Sequence, residues 1–163
     1  MDKVTILSRK RFLEYVPTVP TEEVVAIRIG DKPPLRDTAS KRYADTLSLS
    51  FYDVWEFADD INRNTPDGSN RMTEKEKVRV DEFIEAHAKK NFVLHCEQGI
   101  SRSSAVGYYL LKKLGYTKEL NEKKESSLFQ PNIEVYGVLT GKPYRKETAS
   151  ELMAELKSIE QEY

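Results

Sequence analysis

The chain has 163 residues, 39% of them hydrophobic and 33% charged, with a formal net charge of −1. That length fits one domain, residues 1–163, with a sizeable core, and the near-neutral balance excludes a global field that would draw in nucleic acid or acidic lipid. No apolar run approaches the roughly 20 residues of a membrane span, and Met1–Leu7 lacks the longer apolar core of a secretory signal. The single cysteine, Cys96, excludes an internal disulfide, and as a reactive thiol it suits reducing, cytoplasmic surroundings.

In chain order, Val4-Thr5-Ile6-Leu7 reads as a short buried strand. Ser8 is placed to cap a helix through Phe12, Leu13 and Val16 that stops at Pro17. A turn at Pro17 and Pro20 leads into the strand Val24–Ile29, and Gly30 to Pro34 is a punctuated loop. Leu47, Leu49 and Phe51 alternate with polar residues, the period-two pattern of a half-buried strand. The chain leaves that strand at Tyr52-Asp53-Val54-Trp55, with a helical turn expected over Phe57–Ile61 and a mobile polar loop over Asn62–Met72. Thr73 and Glu76 form a capping box, and Val80, Phe83, Ile84 and His87 share one face of a helix reaching about Lys89.

A second strand–helix pair follows, Phe92–Leu94 and then Ala105–Leu114, closed by Gly115. Lys118 to Ser127 reads as charged surface. Pro131 stands where a helix with Val135, Val138 and Leu139 starts, and Gly141 and Pro143 end it. Leu152, Leu156 and Ile159 mark a final amphipathic helix. Alternating strands and helices indicate an α/β fold: a central, largely parallel twisted sheet flanked by helices.

The chemistry concentrates in His95-Cys96-Glu97-Gln98-Gly99-Ile100-Ser101-Arg102-Ser103. A buried strand, a tight loop and a helix N-terminus make a cradle for anions, because free amide groups and the positive end of the helix dipole converge there. A cysteine in that setting beside an arginine is held toward the thiolate, its nucleophilic form. Arg102 offers a planar fork of donors to two oxygens of a phosphate or carboxylate. Gly99 lets the loop wrap tightly, and Ser103 is placed to donate to the sulfur. A buried structural cysteine is the bland alternative; the combined spacing outweighs it.

This stretch resembles the signature of the protein tyrosine phosphatase superfamily: His-Cys, two residues, Gly, two residues, Arg, then Ser or Thr. Every fixed position is present, as His95, Cys96, Gly99, Arg102 and Ser103. The position past the middle of a small chain is similar to the compact, dual-specificity type. The resemblance implies hydrolysis of phosphotyrosine, with phosphoserine or phosphothreonine as further substrates, on a phosphorylated protein. It implies no metal and no cofactor, and a monomer is expected. Glu97, Gln98, Gly99, Ile100, Ser101 and Arg102 would form the phosphate-binding loop.

The resemblance also implies a general acid on a loop after an earlier strand. Asp53 fits that context, with a helix N-cap as its other reading; Asp59, Asp60 and Asp67 are fallbacks. His95 is expected to brace the loop rather than move protons, and His87 reads as a helix-face residue. Asn132, after Pro131, is similar to an asparagine that holds the loop in dual-specificity relatives, or is a plain helix cap. Gln130 is a candidate to position water. Lys41-Arg42-Tyr43 resembles a phosphotyrosine-recognition loop, with a solvated turn the stronger reading.

The loop interior carries Glu97 and no lysine, which disfavours an inositol polyphosphate, and the lack of a basic surplus disfavours RNA 5′-phosphate. A phosphoprotein-binding module with a weak site is the reading from another class; an Asp53 held out of reach would favour it.

Overall fold

The computed structural model describes residues 1–32, 37–53, 71–142 and 146–161. Four strands, β1 (Val4–Ser8), β2 (Val24–Gly30), β3 (Thr46–Ser50) and β4 (Asn91–Cys96), form one sheet in the order β1-β4-β2-β3. Every pairing is parallel. The helices are α1 (Arg9–Glu14), α2 (Glu74–Ala86), α3 (Arg102–Leu114), α4 (Thr117–Glu125), α5 (Ile133–Thr140) and α6 (Lys146–Lys157). Short 3₁₀ turns lie at Thr21–Glu23 and Ala39–Arg42. The α/β class read from the alternation of patterns is the observed one.

Successive residues of a strand face opposite sides of a sheet, and this separates two apolar layers. Val25, Ile27, Ile29, Phe92, Leu94 and Cys96 face the larger one, with side chains from α2, α3, α5 and α6. Val24, Ala26 and Val93 face a smaller layer closed by Phe12, Ala39 and Tyr43. β2 and β4, covered on both faces, therefore read as nearly continuous apolar runs, as buried parallel strands do. The departures from that run, Arg28 and His95, are both buried and both lie on the smaller face.

Several local boundaries and caps differ from expectation, and the segment read as charged surface is in addition a helix. α1 ends at Glu14, and Val16 is 68% exposed: Tyr15 is already extended (φ −72°, ψ 131°) and closes the last turn through its own N–H, while a residue before proline avoids helical geometry. Thr73 and Glu76 bond each other side chain to side chain at 2.7 Å, so no reciprocal capping box forms. α2 stops at Ala86 with His87 as its C-cap. The charged stretch from Lys118 is mostly helix α4, held by buried Leu120 and by Glu119, whose carboxylate accepts from the amides of Lys3 (2.8 Å) and Val4 (2.9 Å). One apolar anchor leaves no readable period.

In α6, Leu152 and Leu156 are buried as expected, whereas Ile159 lies beyond the helix and is 51% exposed. The expected Phe57–Ile61 turn and nearly all of the Asn62–Met72 loop lie outside the described residues, as do Asp59, Asp60 and Asp67. No helix among the described residues is long and apolar enough to cross a membrane.

Candidate active site

Three strands deliver polar groups to one edge of the sheet. β4 ends on Cys96, β2 is followed by Asp31, and Asp53 stands three residues beyond the last residue of β3. All three line one cleft, with Tyr52, Ile100 and Gln130 on its walls. This is the crevice at the carboxyl ends of parallel strands where open α/β sheets bind ligands.

The loop between β4 and α3 is held by backbone. Gln130 N–H donates to the carbonyl of Ile100 (2.9 Å), Asn132 N–H to that of Ser101 (3.1 Å), and Arg9 N–H to that of Glu97 (3.1 Å). Ser104 adds a hydroxyl donated to Ile100 O and Ser101 O. Gly99 takes φ +71°, and a Cβ there would lie 2.5 Å from the carbonyl carbon of Leu7. Only glycine lets the loop lie this close on the end of β1.

Cys96 is 2% exposed, with Sγ 3.1 Å from the Ser103 hydroxyl. Burial pushes its thiol up, but the Ser103 hydroxyl, the amides of Ser103 and Gly99 and the charge of Arg102 outweigh it, so the pKa lies below the ordinary thiol value. These contacts, at the start of a helix, favour the thiolate over the thiol.

Arg102, 4% exposed, opens α3. Its Nη1 donates to Asp31 Oδ1 and to the carbonyl of Phe51, each at 2.7 Å. Its Nε is buried and has no hydrogen-bond partner among the described residues. One edge of the fork is anchored, and the other retains donor capacity beside the thiol. A buried donor left in this state costs free energy unless an acceptor arrives.

Asp53 is brought to the same place. Its Oδ1 accepts from Ser101 Oγ and from Asn132 Nδ2, both at 2.7 Å. Asn132 meanwhile caps α5, its Oδ1 accepting from Val135 N–H at 3.1 Å. The helix-cap reading of Asn132 is observed, its side-chain nitrogen donates to Asp53, and it meets the loop through its backbone N–H to Ser101 O.

His95 points to the opposite face from Cys96, as its strand position requires. Its Nε2 lies 3.0 Å from Arg28 Nε, and its Nδ1 lies 3.4 Å from the carbonyl oxygen of Cys96. Arg28 and Asp31 are site residues that sequence reasoning missed. An arginine inside an apolar strand run was the available signal for the first, and nothing local marks the second. Lys41-Arg42-Tyr43 does not reach the cleft: Arg42 holds the carbonyls of Leu13 and Tyr15, and Tyr43 stacks on Phe12. His87 pairs with Asp45 at 3.0 Å. Among the described residues no three His, Cys, Asp or Glu side chains are grouped to hold a metal ion.

No family model matches the chain, and no curated protein matches it. Twelve chains among the solved structures are similar to it, two of them as follows. The crystal structure of Tk-PTP in the active form is 17% identical, with a TM-score of 0.44 over 96% of this chain and 92% of that one. The crystal structure of PTPMT1 is also 17% identical, with a TM-score of 0.49 over 94% of both chains.

Proposed function

We propose that this protein is a cysteine-based phosphatase of the protein tyrosine phosphatase type, hydrolysing phosphotyrosine, and with it phosphoserine and phosphothreonine, on cytoplasmic proteins. The observation that carries the reading is the convergence on one buried sulfur of the Ser103 hydroxyl, the Gly99 and Ser103 amides and the Arg102 charge. That arrangement suits attack on a tetrahedral oxyanion.

In the first step the Cys96 thiolate attacks phosphorus in line, forming the S–P bond as the bond to the leaving oxygen breaks. The loop amides and the open edge of Arg102 hold the equatorial oxygens and stabilise their charge in the transition state. Asp53 gives its proton to the departing oxygen. Both of its observed bonds fall on Oδ1, which leaves Oδ2 to carry that proton. In the second step Asp53 takes a proton from water as the water oxygen bonds to phosphorus. The S–P bond then breaks, releasing inorganic phosphate, and Ser103 supports the returning thiolate.

The cleft's charge supports a single phosphate on a protein side chain over a polyphosphorylated substrate. Among its described lining residues Arg102 is the one cation, beside Asp31, Asp53 and Glu97. Asp53 in the same cleft as Cys96 also supports an active enzyme over a phosphoprotein-binding module.

The test is hydrolysis of p-nitrophenyl phosphate with EDTA present, then of phosphotyrosyl and phosphothreonyl peptides beside inositol phosphates. Turnover is expected without metal, lost in Cys96→Ser with vanadate binding retained, and greater on peptides. Turnover that survives Cys96→Ser, or tight phosphopeptide binding without turnover by the unaltered chain, would overturn it.

A further inference from the structure

We propose that Arg28 is a positioning residue for the nucleophile: its guanidinium fixes His95 in the Nδ1–H tautomer, so that the imidazole donates to the carbonyl of Cys96. The proposal rests on the reading of Cys96 as nucleophile, but the tautomer is readable without any activity.

Arg28 and His95 are register partners on the adjacent strands β2 and β4. Both side chains project to the smaller face of the sheet, 3% and 4% exposed. Arg28 Nε lies 3.0 Å from His95 Nε2. A guanidinium has only donors and stays protonated, so Nε2 must be the bare, accepting nitrogen. The ring proton is then on Nδ1, which lies 3.4 Å from the carbonyl oxygen of Cys96. The bond made at one ring nitrogen dictates the state of the other.

The guanidinium is itself immobilised. Its Nη1 and Nη2 reach the two carboxylate oxygens of Asp37 at 2.9 and 2.8 Å, and Nη1 also reaches Ser40 Oγ at 3.1 Å. Its plane sits 4.8 Å from the centre of the Phe12 ring, which in turn lies 4.4 Å from the His95 ring. Asp37 is fixed by the amide of Ala39 at 3.0 Å. A continuous chain of contacts thus runs from Asp37 through Arg28 and His95 to the peptide of the nucleophile.

Among the described residues, the charged groups facing His95 are Arg28 from β2, Arg9 from α1 and Asp37 from the loop after β2. Two cations against one carboxylate, in a buried site, oppose a charge on the ring. With Arg28 removed, the ring is free to exchange its tautomer, and the Cys96 carbonyl loses its donor. That carbonyl belongs to the residue whose sulfur reacts, so its orientation bears on the sulfur's.

The experiment uses the full chain labelled with ¹⁵N. It has two histidines, so a long-range ¹H–¹⁵N spectrum at pH 7 shows two imidazoles, assigned by His87→Gln. His95 is expected to show a protonated Nδ1 and a bare Nε2; a protonated Nε2 or an imidazolium would overturn the proposal. The paired change Arg28→Met with Asp37→Asn removes the buried cation together with the charge of the carboxylate that pairs with it. In it the pH of half-maximal alkylation by iodoacetamide is expected to rise by about one unit. The kcat/KM on p-nitrophenyl phosphate should fall by about 10–100-fold, the scale set by partners that orient imidazoles at metal sites. A folded variant with both quantities unchanged would also overturn it, and an unfolded one leaves the decision to the wild-type spectrum. Absence of phosphatase activity in the unaltered chain would end the functional reading, while the spectrum and the alkylation profile would still judge Arg28.

Discussion

The hydroxyl of Ser103 lies 3.1 Å from Sγ of Cys96, and the serine is wholly buried behind it. In the proposed reaction this contact counts most when the sulfur leaves phosphorus and regains its charge. Ser103→Ala is therefore expected to slow breakdown of the phosphoenzyme more than its formation. Losing a hydrogen bond to a charged group costs about 1.5–3 kcal/mol, which is about 10–100-fold in kcat. Rapid mixing with p-nitrophenyl phosphate should show a burst of p-nitrophenol followed by slow turnover. A variant with unchanged kcat and no burst would reduce Ser103 to a packing role.

Asp53 is aimed by its neighbours. With Oδ1 engaged by Ser101 and Asn132, its acid function should depend on the leaving group. Asp53→Asn is expected to slow phenyl phosphate by about 10²–10⁴-fold and p-nitrophenyl phosphate far less, since nitrophenolate departs readily without a proton. Asn132→Ala should lower the melting temperature through the lost cap, worth about 0.5–2 kcal/mol, and should shift the leaving-group dependence in the same direction by less. A leaving-group series that stays flat in Asp53→Asn would reassign the acid.

The sequence carried the α/β class, the strand–loop–helix and all five signature positions because these rest on contiguous patterns. Strands β2 and β4 are apolar runs, and helix α3 buries Ala105, Val106, Leu110 and Leu111 at readable spacing. Asp31 and Phe51 were illegible as partners of Arg102 because they meet it from far along the chain, through one carboxylate and one carbonyl. Arg28 was legible as an oddity, a cation in the middle of Val24–Gly30, but its partner His95 is set by the sheet register and its partner Asp37 by a loop that returns to β2. Helix α4 was missed for a different reason. It is attached by Glu119 to backbone amides, a contact with no hydrophobic period.

Gly99 and Gly115 separate backbone strain from collision. Both have positive φ, +71° and +82°, but a Cβ at Gly115 meets nothing within 4 Å, whereas at Gly99 it meets the Leu7 and Ser8 backbone. Gly115→Ala is therefore expected to cost about 1 kcal/mol from conformation alone. Gly99→Ala should cost clearly more and abolish turnover, because the loop must lift from β1. Urea unfolding of both variants, read beside alkylation of Cys96, makes the comparison. Equal losses would mean that the close approach at Gly99 is dispensable.

His95 gives a pH signature to stability. Burial, with the Arg28 charge next, lowers its pKa from 6.5 to about 4. The folded chain therefore keeps the ring neutral where the unfolded chain takes up a proton. Stability contributed by the neutral ring is complete above pH 6.5 and declines as pH falls toward 4. The full span corresponds to about 3 kcal/mol. Asp37 and Asp81, whose pKa values are also lowered in the fold, lose their contributions at the acid end of this range and below it. Urea unfolding of wild type and His95→Gln from pH 7.5 to 4.5 isolates the imidazole, because His87 and the carboxylates are common to both. Wild type should lose stability steeply over that interval and the variant much less, even though the variant starts weaker at neutral pH. Parallel slopes would mean that the ring protonates without disturbing the fold.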